Sequence, residues 1–343
     1  MSKLLEGKVA LVAGGGRGVG RGIALALAQA GAKVVVNDLG ATLDGQLSGE
    51  QPAHEVAALI RAGGGEAIVD GGSVTDWGAA HKMVAAAVDT FGRIDIVINN
   101  AGILRDRMLT NMDEAEWDSV IKVHLKGTFA PSRHAAAYWR DQSKTIGGPV
   151  KGRIINTSST SGIYGNVGQT NYGAAKAGIA AFTNIAALEL ARYGVTVNAV
   201  APVALTRMTE GLGPAPETDE EREMRSPRWI APIVTWLASA ESSDVTGRVF
   251  EASGNVLAIA EGWVRGPRQA PLEDAAALGP VVRELLSKAR LNSGMEGVPG
   301  GWPQPQPQPQ HATRSGRSRR SSGRPPPARR RRHGVPARRP DGR

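Results

Sequence analysis

Lys8–Gly20, KVALVAGGGRGVG, decides the fold. Lys8–Ala13 is a short apolar run that ends in glycines, the pattern of a strand buried on both faces of a parallel sheet. Val19–Ala30, VGRGIALALAQA, follows with helical spacing. Between them Gly14, Gly18 and Gly20 are spaced G-x-x-x-G-x-G. A glycine turn from strand to helix leaves backbone N–H groups and a helix N-terminus open to a pyrophosphate, which side chains there would block. The stretch therefore predicts a dinucleotide site at the head of an α/β sheet.

Outward from this turn the same alternation continues. Strands are expected at Lys33–Asn37, Glu66–Val69, Ile94–Ile98, Arg153–Asn156, Val195–Val200 and Arg248–Glu251. Helices are expected at His54–Ala62, Asp76–Thr90, Glu114–Asp141, Tyr172–Tyr193 and Pro227–Ala238. Strands alternating with helices imply a single Rossmann-type doubly wound parallel sheet of about seven strands, helices on both faces. Gly40–Pro52 reads as a loop rich in Gly and Ser, and Arg207–Arg225 as a polar break. Beyond Gly266, Pro271–Leu291 reads as one more amphipathic helix, broken at Gly279-Pro280. The expected division is a catalytic domain over 1–266, a helical extension over 267–297 and a disordered Pro/Arg-rich tail over 298–343, because such a tail cannot bury enough apolar surface to order itself.

A net charge of +9 would suggest an acidic partner. Its distribution says otherwise. From Pro303 onward, twelve arginines against one aspartate leave the tail at +11, so residues 1–302 carry −2. The expectation is no specific nucleic-acid partner. The absence of cysteine excludes disulfides and thiolate catalysis. The first fifteen residues have no apolar core of signal-peptide length, and no run approaches the ~18 apolar residues of a membrane span. A cytoplasmic protein without a membrane partner is expected.

Tyr172 and Lys176 stand four apart in NYGAAKAGIAAF, on one helix face. Ser159 lies thirteen residues before the tyrosine, in INTSSTSG. A free phenol titrates near pH ~10 and is a poor base at neutrality. A neighbouring ammonium favours the phenolate, and a serine hydroxyl can hold a substrate oxygen while the proton moves. This trio is suited to proton transfer coupled to hydride transfer at a secondary alcohol or ketone. At the other end, Asp38 closes the second strand in VVVNDLG, where an acid binds both adenosine-ribose hydroxyls and repels a 2′-phosphate. That favours NAD over NADP. Arg17 pulls the other way, since it lies where it could meet a 2′-phosphate. Asn99-Asn100-Ala101-Gly102 follows the fourth strand and suits contact with adenosine and support of the neighbouring strand.

The glycine turn, NNAG and the set Ser159, Tyr172 and Lys176, in this order and spacing, resemble the short-chain dehydrogenase/reductase family over roughly residues 5–265. The resemblance implies Tyr172 as acid/base, Lys176 as the group that lowers its pKa and holds the nicotinamide ribose, and Ser159 as the substrate-orienting hydroxyl. It implies cofactor contacts from Gly14, Arg17, Gly18, Val19, Gly20, Asp38, Ser73, Val74, Asn100, Ala101, Gly102, Val203 and Thr206, besides Tyr172 and Lys176. NNAGILRDRML, VHLKGTF, SGIYGNVGQTNY and APVALTRMT resemble the (3R)-hydroxyacyl-CoA dehydrogenase branch, which implies reversible oxidation of a 3-hydroxyacyl thioester with NAD.

Four positions depart from the family pattern. Ala13 stands in place of Thr, which removes a hydrogen bond near NNAG. His124 stands in place of a catalytic Asn, where imidazole can join a proton relay. Gly72 stands in place of an adenine-contacting Asp, which shifts that contact to the Ser73 backbone or removes it. Val203 stands in place of Gly after Pro202 and leaves only a backbone contact to nicotinamide. No metal site is expected: His54, His81 and His134 read as helix residues without ligand-like partners. The small and apolar surface of Tyr172–Tyr193 suggests a homodimer or homotetramer. Arg207–Arg225 stands where the family carries its substrate lid. A steroid or other secondary-alcohol dehydrogenase, an NADPH-dependent 3-ketoacyl carrier-protein reductase, and an inactive cofactor binder acting through its basic tail remain as alternatives.

Overall fold

A computed structural model describes residues 3–210 and 215–300 of the chain. Beyond Gly300 the expected tail lies outside the described residues. Eight strands form one sheet among the described residues: β1 (Val9–Ala13), β2 (Lys33–Asn37), β3 (Ala67–Asp70), β4 (Ile96–Asn99), β5 (Arg153–Thr157), β6 (Thr196–Pro202), β7 (Val249–Ala252) and β8 (Leu257–Ala260). The spatial order is β3-β2-β1-β4-β5-β6-β7-β8, and the first seven strands run parallel. The helices are α1 (Gly18–Gln29), α2 (Pro52–Ala62), α3 (Trp77–Phe91), α4 (Glu114–Ile121), α5 (Gly127–Ile146), α6 (Thr160–Tyr164), α7 (Thr170–Leu190), α8 (Asp219–Met224), α9 (Ala231–Leu237) and α10 (Leu278–Lys288).

Strand pleating sorts the core into two layers. Ala10 and Val12 of β1 meet Ile23 and Leu27 of α1, Val56 and Ile60 of α2, and Val234 and Leu237 of α9. Val9, Leu11 and Ala13 point to the other face, toward Met83 and Val84 of α3, Trp139 of α5, and Ala186 and Ala187 of α7. Trp139 is fully buried, and its indole N–H donates to the Ile94 carbonyl at 2.8 Å. Truncating such a side chain to alanine costs about 3–5 kcal/mol. Because both faces are covered, the strands read as apolar runs rather than as alternation.

The sheet winds in opposite directions from β1, toward β2 and β3 on one side and toward β4 and beyond on the other. A crevice forms outside the carboxyl ends of strands at such a reversal.

Four expectations are corrected. The sheet gains an eighth strand, β8, antiparallel to β7 through a turn at Ser253–Val256. The helix expected over Glu114–Asp141 is interrupted by a π turn at Lys122–Lys126 and runs on to Ile146. The short α6 was not expected at all. The C-terminal helix is shorter, and Gly279-Pro280 lies in its first turn rather than breaking it, where a proline's missing N–H leaves no bond unmade. The polar segment Arg207–Arg225 contains α8, with residues 211–214 outside the described ones.

By length and mean hydropathy of 1.2, Thr170–Tyr193 is apolar enough to cross a membrane, contrary to the reading of the sequence. Here it packs its buried residues against β5 and β6 as a core helix.

Candidate active site

A cavity of about 490 Å³ opens at the β1/β4 reversal. One wall is the glycine turn. Gly14 and Gly18 adopt left-handed backbone, with φ of 71° and 51°. A Cβ on Gly20 would lie 1.9 Å from the Gly14 carbonyl oxygen, so the turn closes only without a side chain there. Gly14, Arg17, Gly18 and Val19 line the cavity, while Gly20 sits beneath it. Asn100 ties this wall to β4: its amide donates to the Gly14 carbonyl at 3.0 Å, and its backbone N–H donates to the Ala13 carbonyl at 3.0 Å. The backbone bond at Ala13 survives the loss of a threonine hydroxyl there.

Asp38 stands at the end of β2. Its carboxylate accepts from the Gly16 N–H at 3.0 Å and the Gly40 N–H at 2.9 Å. Arg17 turns to residues 40–51. Its guanidinium donates to the Ala41 carbonyl at 3.0 Å and forms an ion pair with Glu50. Residues 41–46 cross to the opposite rim as a strap: Leu104 N–H donates to the Leu43 carbonyl at 3.1 Å, and Arg105 donates to the Asp44 carbonyl at 2.7 Å. All six strap residues line the cavity. Sequence reading saw only a loop here.

Ser73 and Val74 line the cavity, and the Ser73 hydroxyl bonds Thr75 at 3.0 Å. Where Gly72 replaces an acid, the nearby carboxylate is that of Asp70. It is held by the Asn37 amide at 2.7 Å and the Gly72 N–H at 2.8 Å. Val203 is not among the lining residues. Its N–H donates to the Ala252 carbonyl at 2.9 Å and its side chain is half exposed, while Pro202, Ala204 and Thr206 line the wall instead.

The far end is dry. Tyr172 and Lys176 project from the first turns of α7, with the Lys176 ammonium 5.5 Å from the phenol ring centroid. Lys176 is 3 % exposed and donates to the Thr157 carbonyl at 2.6 Å. Burial pulls its pKa down to about 7. Burial pushes the Tyr172 phenol up; a hydrogen bond with Ser159 opposes this, and the Asp106 charge adds to it. Desolvation is the largest influence on both groups and favours their neutral forms. Ser159 caps α6, its hydroxyl accepting from the Ser161 N–H at 3.1 Å.

His124 lies in the π turn, its ring edge-on to Tyr172 with centroids 5.1 Å apart. Its Nε2 is 2.8 Å from the Ile103 carbonyl and 3.2 Å from the Ile103 N–H. Burial, with the Lys176 charge adding to it, holds its pKa at about 3, so the ring is neutral. Nδ1 is buried with no protein partner among the described residues. Gly102 and His124 belong together: a Cβ on Gly102 would lie 2.4 Å from His124 Cε1.

Two networks escaped sequence reading. Asn99 donates to Ser132 and to Asn156, both at 2.8 Å, and Asn156 donates to Thr183 at 2.9 Å, which locks β4, β5, α5 and α7 together. Gln169 donates to Asp106 at 2.7 Å and accepts from Ser161 at 2.8 Å. Neither leaves a local spacing signal, because each joins distant segments.

The sequence matches the family model described as short chain dehydrogenase over residues 8–217. It is 47 % identical over 253 residues to a Mycobacterium tuberculosis protein named hydroxyacyl-CoA dehydrogenase ChsB1, covering 73 % of this chain and 78 % of that one. It is 45 % identical over 258 residues to the peroxisomal multifunctional enzyme type 2 of Drosophila melanogaster, covering 75 % of this chain but only 40 % of that enzyme. A crystal structure of a short chain dehydrogenase from Mycobacterium avium superposes with a TM-score of 0.75 at 50 % identity, over 85 % of this chain and 98 % of that one. The glycine turn, the paired Tyr172 and Lys176 and these similarities lead to one conclusion: the chain belongs to the short-chain dehydrogenase family, and it is an oxidoreductase that uses a nicotinamide cofactor and acts on CH–OH groups.

Proposed function

We propose that the protein uses NAD to interconvert a 3-hydroxyacyl thioester and the 3-ketoacyl thioester. The observation that carries this is one cavity with the Asp38 carboxylate at one end and Tyr172 and Lys176 at the other. The residues fit a dinucleotide. The glycine turn leaves a cradle that a Cβ would fill, and an ionised carboxylate that accepts two N–H bonds retains lone pairs for ribose hydroxyls. Gly14, Gly18, Val19, Asp38, Val74, Asn100 and Lys176 would hold the cofactor. When bound, NAD supplies the acceptor for a hydride from the carbinol carbon.

The chain's own residues handle the proton. Ser159 and Tyr172 hold the substrate oxygen, and Tyr172 takes its proton as the ketone forms. Burial keeps the phenol protonated at rest, so its own proton has to leave before it accepts the substrate's. Lys176, with a pKa of about 7, is in part a neutral amine near neutrality; it takes that proton and, as the ammonium, stabilises the phenolate. His124 lies edge-on to Tyr172, neutral and with Nδ1 unpartnered among the described residues. We assign it the relay from Lys176 toward solvent.

The thioester class rests on the names of the relatives and on the matching NNAGILRDRML and SGIYGNVGQTNY segments. We also infer a homodimer or homotetramer, because Phe129 of α5 and Ile185 and Leu188 of α7 stay exposed in the monomer. Reduction of NAD and of NADP, followed at 340 nm with panels of 3-hydroxyacyl-CoA esters and hydroxysteroids, tests the reading. Turnover of the thioesters with NAD is expected. Turnover of steroids alone, or with NADP alone, would contradict it.

A further inference from the structure

We propose that Glu50 sets the coenzyme preference of this site by taking Arg17 away from the adenosine-ribose position. The inference deepens the NAD reading above and rests on it. In the sequence Arg17 argues for NADP, since a guanidinium beside the ribose binds a phosphate bidentately. In the structure that guanidinium is already engaged. One nitrogen donates to the Ala41 carbonyl at 3.0 Å, and the other pairs with Glu50. A second guanidinium, that of Arg207, donates to the same carbonyl at 3.2 Å.

The strap places Glu50 there. Its two ends meet: Ser48 N–H donates to the Gly40 carbonyl at 3.1 Å, and a Cβ on Gly40 would lie 2.2 Å from the Glu50 carbonyl oxygen. Gly40 in turn donates to Asp38 at 2.9 Å. The closed strap thus brings the Glu50 carboxylate to Arg17. A 2′-phosphate would have to break the Arg17–Glu50 pair to gain the guanidinium, and would still face the Asp38 carboxylate. The ribose hydroxyls of NAD face neither penalty. The Glu50 side chain is 63 % exposed, so solvent and salt temper the effect.

The test needs no substrate. Intrinsic fluorescence titrations of the full-length protein measure NADH and NADPH affinity in wild type, Glu50→Gln, and the double variant Glu50→Gln/Arg17→Met. Glu50→Gln keeps the side chain's size and removes its charge. Its preference should move toward NADPH by about tenfold, the size of one charge-assisted hydrogen bond gained. The double variant should lose that gain, because Arg17 supplies it. A shift smaller than about threefold, below the weakest such bond, or a gain that persists without Arg17, would overturn the proposal. A wild type that binds NADPH more tightly than NADH would overturn the NAD reading itself, and this inference with it.

Discussion

The two ends of the cavity are built on opposite terms. The adenosine end carries full charges near solvent: Asp38 is held by two backbone N–H groups, and Arg17 is shared between Glu50 and a carbonyl. The far end buries its ionisable groups more deeply, and burial moves each toward its neutral form: His124 to about 3, Lys176 to about 7, Tyr172 upward. The difference teaches what each task requires. Recognition of a nucleotide needs fixed charges and donors. Proton transfer needs a group whose charge can change near neutrality, and desolvation brings Lys176 alone of the three into that range.

The comparison breaks most visibly at Lys176. Lys176→Met keeps the apolar stem and removes the ammonium. Turnover should fall by about a thousandfold, within the range for a positioned proton-transfer group, as measured by initial rates under saturating NAD. A loss below about tenfold would show that the dry end does not depend on this cation. At the other end the contrast is of kind. Asp38→Asn should raise the KM for NAD by about tenfold, the worth of one charge-assisted bond, and leave kcat within a factor of about two. A collapse of kcat instead would mean that the two ends are not separable.

A third contrast concerns stability. The folded pKa of His124, about 3, lies below its unfolded value of 6.5. Between these values the unfolded chain binds more protons, so stability falls as pH falls through that window, by at most about 1.4 kcal/mol per pH unit. Urea midpoints measured at pH 7 and pH 4.5 should separate widely in wild type and less in His124→Asn. Equal separations would place the acid sensitivity elsewhere.

Much of this was legible in the sequence, for reasons that differ by region. β1, the glycine turn and α1 are contiguous, and short-range sterics dictate them, so KVALVAGGGRGVG predicted its own structure. The seven parallel strands announced themselves as apolar runs. β8 did not, because Leu257 and Ile259 are exposed and only the turn residues Ser253-Gly254-Asn255 hinted at a hairpin. Ser159, Tyr172 and Lys176 were readable from their spacing. Their desolvation was not, because burial of Lys176 is produced by β5 and the π turn, elements far away in sequence. The strap's reach to Leu104 and Arg105, and the contact of Glu50 with Arg17, are likewise long-range facts that loop composition does not encode. The turn away from the cavity at Val203 follows from its pairing with Ala252 in β7.

The most direct test of a two-ended site is to separate binding from turnover in Tyr172→Phe, which removes one hydroxyl from the dry end. NADH affinity by fluorescence titration should stay within about twofold of wild type while turnover of a 3-hydroxyacyl-CoA falls by up to about ten-thousandfold, the upper range for acid–base catalysis. Turnover that survives the substitution, or affinity lost together with turnover, would contradict the account.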